Sequence, residues 1–280
     1  MPNTIKQTLL VATEQLENSS DTARLDAEVL LAHVMKKTRT WLMTWPEHTL
    51  TSEEEKQFHG LLQQRIDGKP IAYLIGEQEF WSVKLKVNEH TLIPRPETEC
   101  LVEQALTLIP IDAKFEIADL GTGSGAIALV IAKERPTCHI TAIEQSADTI
   151  AVAQENAKQL RLANITFLQA NWLVGVEPDH FDLILSNPPY IEITDPHLQQ
   201  GDVRFEPPSA LQSGVDGLND IRQIITQAKY CLKGSGWLLI EHGYRQQQAI
   251  MALLHEHGFH HIQGFKDYAV QPRFVMAQKP

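Results

Sequence analysis

Asp119-Leu120-Gly121-Thr122-Gly123-Ser124-Gly125 decides the fold of this 280-residue chain. It closes a strand-like apolar run at 115–120 and leads straight into a second apolar run at 126–132. Glycines between a strand and a helix let the backbone turn sharply and approach a ligand closely. In an open α/β sheet, that turn is where a nucleoside-type ligand sits. The same rhythm continues downstream. Strand-like runs at 115–120, 139–144, 165–169, 181–186 and 237–241 alternate with helical segments around 126–134, 147–160, 217–231 and 245–257. The alternation predicts a doubly wound, mostly parallel sheet covered by helices on both faces. Residues 261–265 and 273–277 have no helix between them and read as a closing strand pair, which brings the sheet to seven strands.

Upstream of 115 the pattern is different. Ile5, Leu9, Leu10 and Leu16 fall roughly on one helical face, and Leu25, Val29, Leu30, His33 and Val34 repeat that spacing. Asn18-Ser19-Ser20-Asp21 reads as the turn between these helices, with Ser20 or Asp21 capping the second. Ser52 followed by Glu55 reads as a capping box opening a helix that Gly68-Lys69-Pro70 ends. Residues 1–76 are therefore expected to form a small all-helical domain. A β-hairpin linker follows over 77–90, within which 79–87 is rich in β-formers, and the α/β domain occupies 91–280. In Arg95-Pro96-Glu97-Thr98-Glu99, Pro96 is expected at the first helical position, with Glu97 and Glu99 in the first turn.

Bulk properties bound the function. The hydrophobic fraction is 43%, enough for a substantial core. The apolar run 126–132 is far short of a membrane span, and residues 1–10 lack the regions of a signal peptide, so a cytoplasmic, non-membrane protein is expected. Cys100, Cys138 and Cys231 are far apart and form no CxxC, so buried thiols are expected rather than a disulfide framework or a zinc site. The net charge is −11: residues 1–75 contribute −2 and the remainder −9. An acidic catalytic half is a poor match for a phosphate backbone, and no direct nucleic-acid binding is expected.

The glycine loop alone leaves its ligand open. Gly121, Gly123 and Ala126 also satisfy the G-x-G-x-x-G/A pattern of dinucleotide enzymes. The acidic Asp119 before the glycines is more typical of methyltransferases, whose S-adenosylmethionine has no phosphates. Glu144 ends the next strand, where its carboxylate can accept from both ribose hydroxyls. Trp172 follows the third strand and can lie against an adenine ring or belong to the core.

Ser186-Asn187-Pro188-Pro189-Tyr190 follows the fourth strand, at the ligand edge of the sheet. Two prolines make a stiff extended turn without N–H groups, so the stretch offers acceptors rather than donors. The Asn187 side-chain oxygen and a proline carbonyl can both face one planar NH2 group. Such a nitrogen is a poor nucleophile because its lone pair is delocalised. Two acceptors orient it and stabilise the positive charge that develops on it. Tyr190 can stack on the planar group.

Asn-Pro-Pro-Tyr after Asp-x-Gly-x-Gly-x-Gly resembles the class I methyltransferases of planar amines. Further stretches narrow the resemblance. Pro70-Ile71-Ala72-Tyr73-Leu74-Ile75-Gly76, Phe80-Trp81, Leu92-Ile93-Pro94-Arg95-Pro96-Glu97-Thr98-Glu99 and Gly201-Asp202-Val203-Arg204-Phe205-Glu206-Pro207 are similar to the bacterial peptide-chain release factor N5-glutamine methyltransferase family. The resemblance covers nearly the whole chain. It implies a class I methyltransferase fold and methyl transfer from S-adenosylmethionine, leaving S-adenosylhomocysteine. The acceptor would be the glutamine amide of the Gly-Gly-Gln motif in class I release factors, and the enzyme would act as a monomer. It further implies that Gly121, Thr122, Gly123, Ser124, Gly125, Glu144, Trp172 and Asn187 contact the cofactor. Asn187, Pro188, Pro189 and Tyr190 would hold the glutamine, with Asn187, Pro188 and Tyr190 catalytic. Glu144 stands where aspartate is common in the family. The tail at 267–273 departs from the family pattern and receives no role.

Other readings are weaker. His255-Glu256-His257 and His260-His261 lack HExxH spacing, so no metal is expected there. A DNA or RNA amino-methyltransferase would use the same site chemistry with base flipping, but the charge speaks against it. A non-catalytic adaptor or an NAD-dependent dehydrogenase leaves Asn187 to Tyr190 unexplained.

Overall fold

The computed structural model describes residues 3–280. The chain divides into two compact units, each with its own core. The helical unit runs to Glu77 and includes a later excursion of the chain, His197–Phe205. It contains α1 (Ile5–Leu16), α2 (Ala23–Met35), α3 (Arg39–Thr44), α4 (Ser52–Ile66) and α5 (Ile71–Ile75). Ile5, Leu9, Leu16, Leu30, Leu31, Phe58 and Leu62 form one buried cluster, whereas Leu10, Leu25 and His33, expected on the apolar faces, are exposed, because α2 buries the face that carries Ala23, Ala27, Leu30 and Leu31. Arg65 is buried, and its guanidinium binds Asp26 at 2.7 Å and Asp202 at 2.8 Å.

Two caps differ from expectation. The capping box of α4 is Thr51 with Glu54, one residue earlier than Ser52 with Glu55. The chain contains both S/T-x-x-E patterns in overlap. Leu50 is buried and Thr49 bridges Thr4, which fixes where the chain enters the helix and selects Thr51. The N-cap of α2 is Thr22, without a side-chain cap. Ser20 is instead engaged with Asp26 at 2.7 Å and with the Thr22 N–H at 3.1 Å, leaving neither Ser20 nor Asp21 as the cap.

The second unit covers Gln78–Pro196 and Glu206–Pro280. A two-stranded hairpin pairs β1 (Glu77–Phe80) with β2 (Val83–Lys86). Then follow α6 (Thr98–Leu108), β3 (Glu116–Leu120), α7 (Ala126–Glu134), β4 (His139–Glu144), α8 (Ala147–Gln159), β5 (Ile165–Gln169) and β6 (Phe181–Ser186). The chain ends with α9 (Asn219–Cys231), β7 (Leu232–Glu241), α10 (Gln247–Glu256), β8 (His260–Lys266) and β9 (Pro272–Gln278). The seven strands order as β5-β4-β3-β6-β7-β9-β8. The first five are parallel, and β9 runs antiparallel between β7 and β8. This is the doubly wound, mostly parallel seven-stranded sheet expected.

Two apolar clusters cover the sheet. One is built on α6, α7 and the hairpin, the other on α9 and α10. α7 is buried at seven successive positions, which is why its sequence reads as an unbroken apolar run. The three cysteines are buried and unpaired. α6 begins at Thr98, not at Pro96. Thr98 N–H donates to Arg95 O and Glu99 N–H to Pro96 O, so Pro96 occupies the second position of a turn, where its fixed φ also fits. Among the described residues, no helix is long and apolar enough to cross a membrane.

Candidate active site

The order β4-β3-β6 makes β3 the switch point of the sheet: the chain leaves it first towards β4 and later towards β6. Ligands of open α/β sheets bind outside the carboxyl end of that point. A cleft of about 950 Å³, counting space open to solvent, lies there. Its lining includes Gly121, Gly123, Glu144, Trp172, Asn187 and Pro189. Four successive parallel strands thus each deliver a sequence-predicted residue to one place.

The loop after β3 is held rigidly. Gly121 and Thr122 N–H both donate to Ile143 O, at 2.9 and 3.0 Å. Gly121, Gly123 and Gly125 have φ of 68°, 58° and 88°, a region that side chains rarely adopt. A Cβ on Gly125 would lie 2.8 Å from Leu129 Cδ1, and one on Gly121 would lie 3.2 Å from the Trp172 ring. Asp119 braces the loop from inside. Its Oδ2 accepts from the Thr122 hydroxyl at 2.7 Å and from Ala128 N–H at 3.1 Å. Burial pushes its carboxyl up to about 6. Thr122 is thus directed to Asp119. Ser124 is buried, with its carbonyl accepting from Asn156 Nδ2 at 2.9 Å. Of the five loop residues, Gly121 and Gly123 line the cleft, while Thr122, Ser124 and Gly125 shape the loop behind it.

Glu144 sits at the end of β4 with its carboxylate oriented by backbone donors. Oε1 accepts from Gln145 and Ser146 N–H at 2.9 and 3.1 Å, and Oε2 from Gly123 N–H at 3.3 Å. Three of its roughly four acceptor sites are taken, which leaves one, on Oε2, for a ribose hydroxyl. Trp172 has φ of 52° and lies along Gly121. Its indole Nε1–H donates to Asp220 Oδ1 at 3.3 Å, and Asp220 is anchored by Ser213 at 2.6 Å. The fit to an adenosyl ligand rests on this set: a carboxylate for a ribose, an aromatic face, and a glycine wall without phosphate-binding lysine or arginine among the lining residues.

At the end of β6, Ser186 ties its hydroxyl to Leu120 O at 2.9 Å. Asn187 follows. Its Nδ2 donates to Thr98 Oγ1 at 3.1 Å, and its Oδ1 has no partner among the described residues. Pro188 and Pro189 are buried, and Pro189 lines the cleft. Tyr190 is half-buried against the α9–α10 cluster and is absent from the cleft lining. Burial and the nearby Glu241 raise its pKa.

Sequence reasoning missed the supports. Thr98 and Asp220 are distant in sequence from what they hold. Glu241 is fully buried, and burial pushes its carboxyl up to about 7. The tail at 267–273 also has a structural task. Arg273 pairs with Asp267 at 2.9 Å, and although burial works against ionisation, the Gln271 N–H and Arg273 hold the Asp267 carboxyl below its usual range. Two further side chains of the Arg95–Glu99 loop reach structural partners. Arg95 pairs with the buried Glu206, and Glu99 accepts from Trp81 N–H at 2.7 Å. No cluster of three His, Cys, Asp or Glu side chains that could hold a metal occurs among the described residues.

Comparison with known proteins agrees with this architecture. Residues 7–76 match the family described as the PrmC N-terminal domain, and residues 98–201 match the methyltransferase small domain. A release factor glutamine methyltransferase of Vibrio cholerae is 48% identical, over 99% of this chain and 98% of its own. That of Salmonella typhimurium is 47% identical over 94% of each chain, and that of Escherichia coli 46% identical over 95% and 96%. Among solved structures, a Pyrococcus furiosus methyltransferase superposes with a TM-score of 0.55 at 16% identity, covering 78% of this chain and 97% of its own. At that identity it speaks for the fold alone. The full-length relatives carry more: with more than two-fifths of its residues shared across both units, this chain belongs to the release factor glutamine methyltransferase family.

Proposed function

We infer that the chain is a protein-glutamine N5-methyltransferase using S-adenosylmethionine, acting on the glutamine of the Gly-Gly-Gln motif of class I release factors. The observation that carries this reading is the Asn187 side chain. Its Nδ2 is committed to Thr98, and its Oδ1 is left as an acceptor at a cleft that also holds Glu144 and Trp172. An acceptor there suits a planar NH2 group and would repel a carbonyl or carboxylate.

When bound, S-adenosylmethionine supplies an electrophilic methyl group on a sulfonium. Gly121 and Gly123 would lie along it, Glu144 would accept from its ribose through Oε2, and the Trp172 ring would cover its adenine. Asn187 Oδ1 and the Pro188 carbonyl would accept the two N–H bonds of the glutamine amide. This holds the nitrogen lone pair in line with the methyl and stabilises the charge that develops on nitrogen. No base is needed before attack, because those N–H groups become acidic only as nitrogen is alkylated. Pro189 stiffens the turn that presents them.

The helical unit is read as the recognition domain for the protein substrate. A planar NH2 group is common to free glutamine and many surface amides, so discrimination must come from contacts away from it. The acidic sheet unit would favour a basic partner. We expect a cytoplasmic monomer without direct nucleic-acid contact. The test is transfer from isotopically labelled S-adenosylmethionine to an intact class I release factor, with mass spectrometry locating the label. Label on the Gly-Gly-Gln glutamine supports the reading. Label on DNA or RNA instead, with none on the release factor, would replace it with the amino-methyltransferase alternative.

A further inference from the structure

We propose that Gln246 is a positioning residue: its side-chain amide grips the Tyr190 carbonyl and thereby fixes the turn on which Asn187 and Pro188 face the cleft. The proposal rests on the reading of Asn187 Oδ1 and the Pro188 carbonyl as the acceptors of the substrate amide.

The turn cannot hold itself. Pro188 and Pro189 have no N–H, so neither donates a hydrogen bond that would fix the backbone between Asn187 and Tyr190. Their rings lock φ, but rotation about ψ still swings their carbonyls. The direction of the Pro188 carbonyl is therefore set by how the two ends of the turn are anchored. The sheet anchors the entry. Ser186 pairs with Ile240 in the parallel β6–β7 ladder, and its hydroxyl donates to Leu120 O at 2.9 Å. The exit is anchored at Tyr190 and Ile191, whose N–H groups both donate to Leu211 O, at 3.1 and 2.8 Å. Those bonds hold the nitrogen side of the exit. Gln246 holds the carbonyl side, with Nε2 donating to Tyr190 O at 3.0 Å.

The polarity of this grip follows from its partners. Gln246 Oε1 accepts from Gly243 N–H at 2.9 Å, so the oxygen end of the amide faces a donor. The nitrogen end faces carbonyls: Tyr190 O, and at 3.4 Å Asp216 O and Gly217 O. A half-turn of the amide would set oxygen against three carbonyls and nitrogen against an N–H. The seat is also tight. Gly217 has φ of 70°, and a Cβ there would lie 2.3 Å from Tyr190 O and 2.6 Å from Gln246 Nε2. The Gly217 backbone thus closes on the same carbonyl. Gln246 is the N-cap of α10, a place where a side chain ordinarily accepts from the first N–H groups of its own helix. Here it makes no such bond. The side chain serves the Gly243 loop and the Tyr190 carbonyl instead. Capping does not account for that arrangement, whereas tying α10 to the substrate turn does.

The experiment compares Gln246→Glu with Gln246→Ala. The first keeps the shape and the bond from Gly243 N–H but sets oxygen against the Tyr190 carbonyl. The second leaves that carbonyl open. Each full-length variant is assayed for kcat and KM on intact release factor, for S-adenosylmethionine affinity by calorimetry, and for thermal midpoint. Gln246→Glu should lower kcat about 10- to 100-fold while KM and cofactor affinity change less than about threefold, the pattern of an interaction realised in the transition state. Gln246→Ala should lower kcat about 3- to 10-fold with KM and affinity equally unmoved. A purely structural role would lower the thermal midpoint and leave kcat of the folded enzyme unchanged. A folded Gln246→Glu enzyme with kcat within about threefold of the parent therefore overturns the proposal. So does a Gln246→Ala enzyme as slow as Gln246→Glu or slower, which would assign the effect to packing and not to the donor. If Gln246→Glu does not fold, Gln246→Ala decides alone, and kcat within about threefold of the parent overturns the proposal. Failure of the underlying site reading looks different: Asn187→Ala alone would then retain activity within about tenfold of the parent.

Discussion

At Tyr190 the ring and the hydroxyl have separate surroundings. The ring packs against the α9–α10 cluster, with a Cβ on Gly243 set to fall 3.6 Å from its Cδ2, while the hydroxyl lies in the field of Glu241 and Arg273. Tyr190→Phe should therefore keep the packing, lower stability by less than about 1 kcal/mol, and keep most turnover. Tyr190→Ala should lose the packing as well, roughly 2–4 kcal/mol, and most activity. A Phe variant as inactive as the Ala variant would assign the hydroxyl to the chemistry. Glu144 makes the complementary case. Its carboxylate serves three backbone N–H groups besides any ribose. Glu144→Ala should weaken S-adenosylmethionine binding by about 1.5–3 kcal/mol in calorimetry, more than it slows saturated turnover. Unchanged affinity would remove Glu144 from the cofactor site. At this scale the sequence was informative where chemistry depends on local order, as in Asn187-Pro188-Pro189-Tyr190. It was silent on Thr98, which meets Asn187 across 89 residues, and on Asp220, which meets Trp172 across 48. A partner brought in by sheet order leaves no spacing signal.

The ends of β3 and β7 each carry a buried carboxyl, Asp119 and Glu241, at the edge where the sheet meets the site. Burial raises both, Asp119 from 3.8 to about 6 and Glu241 from 4.5 to about 7. A raised carboxyl favours the folded state while protonated. The unfolded chain gives up that proton first, so the stabilisation is full below the ordinary value and lost as pH climbs to the raised one. Stability should accordingly fall between pH 4.5 and about 7, with Glu241 contributing on the order of 3 kcal/mol to that fall. Glu241→Gln should flatten the slope in this window. Denaturation curves at several pH values test it; a gap between the parent and Glu241→Gln that does not change with pH would refute it. The elements themselves were legible from periodicity. α7 lies between Gly125 and Pro136 and β6 runs into Pro188, and both are filled mostly by apolar residues. Helix starts were less legible because adjacent capping residues compete. Thr51 and Ser52, or Pro96 and Thr98, are separated only by how the preceding chain enters.

Two units with separate cores imply that one can be loosened without melting the other, and the helical unit has an identifiable weak point. It is not continuous in sequence: His197–Phe205 belongs to it, although the chain reaches that segment only after Tyr190 and leaves it at Glu206. Arg65 is the residue that holds this segment. One of its nitrogens binds the buried Asp26, another binds Asp202, and it donates to Lys69 O at 3.1 Å. Arg204 adds a bond to Asp67 O at 2.9 Å. Replacing Arg65 by Met keeps the apolar stem and removes the fork. Asp26 then stays buried with only the Ser20 and Thr22 hydroxyls, and Asp202, whose side chain is 42% exposed, can turn to water. Removing one partner of a buried pair costs about 3–5 kcal/mol, far more than an exposed pair is worth. Arg65→Met should therefore destabilise the helical unit by about that amount and raise hydrogen exchange over 197–205, while S-adenosylmethionine affinity stays near the parent's. Activity should fall through KM for intact release factor, if that unit recognises it. Exchange protection over 197–205 equal to the parent's would mean that the segment is held by its backbone bonds and not by Arg65.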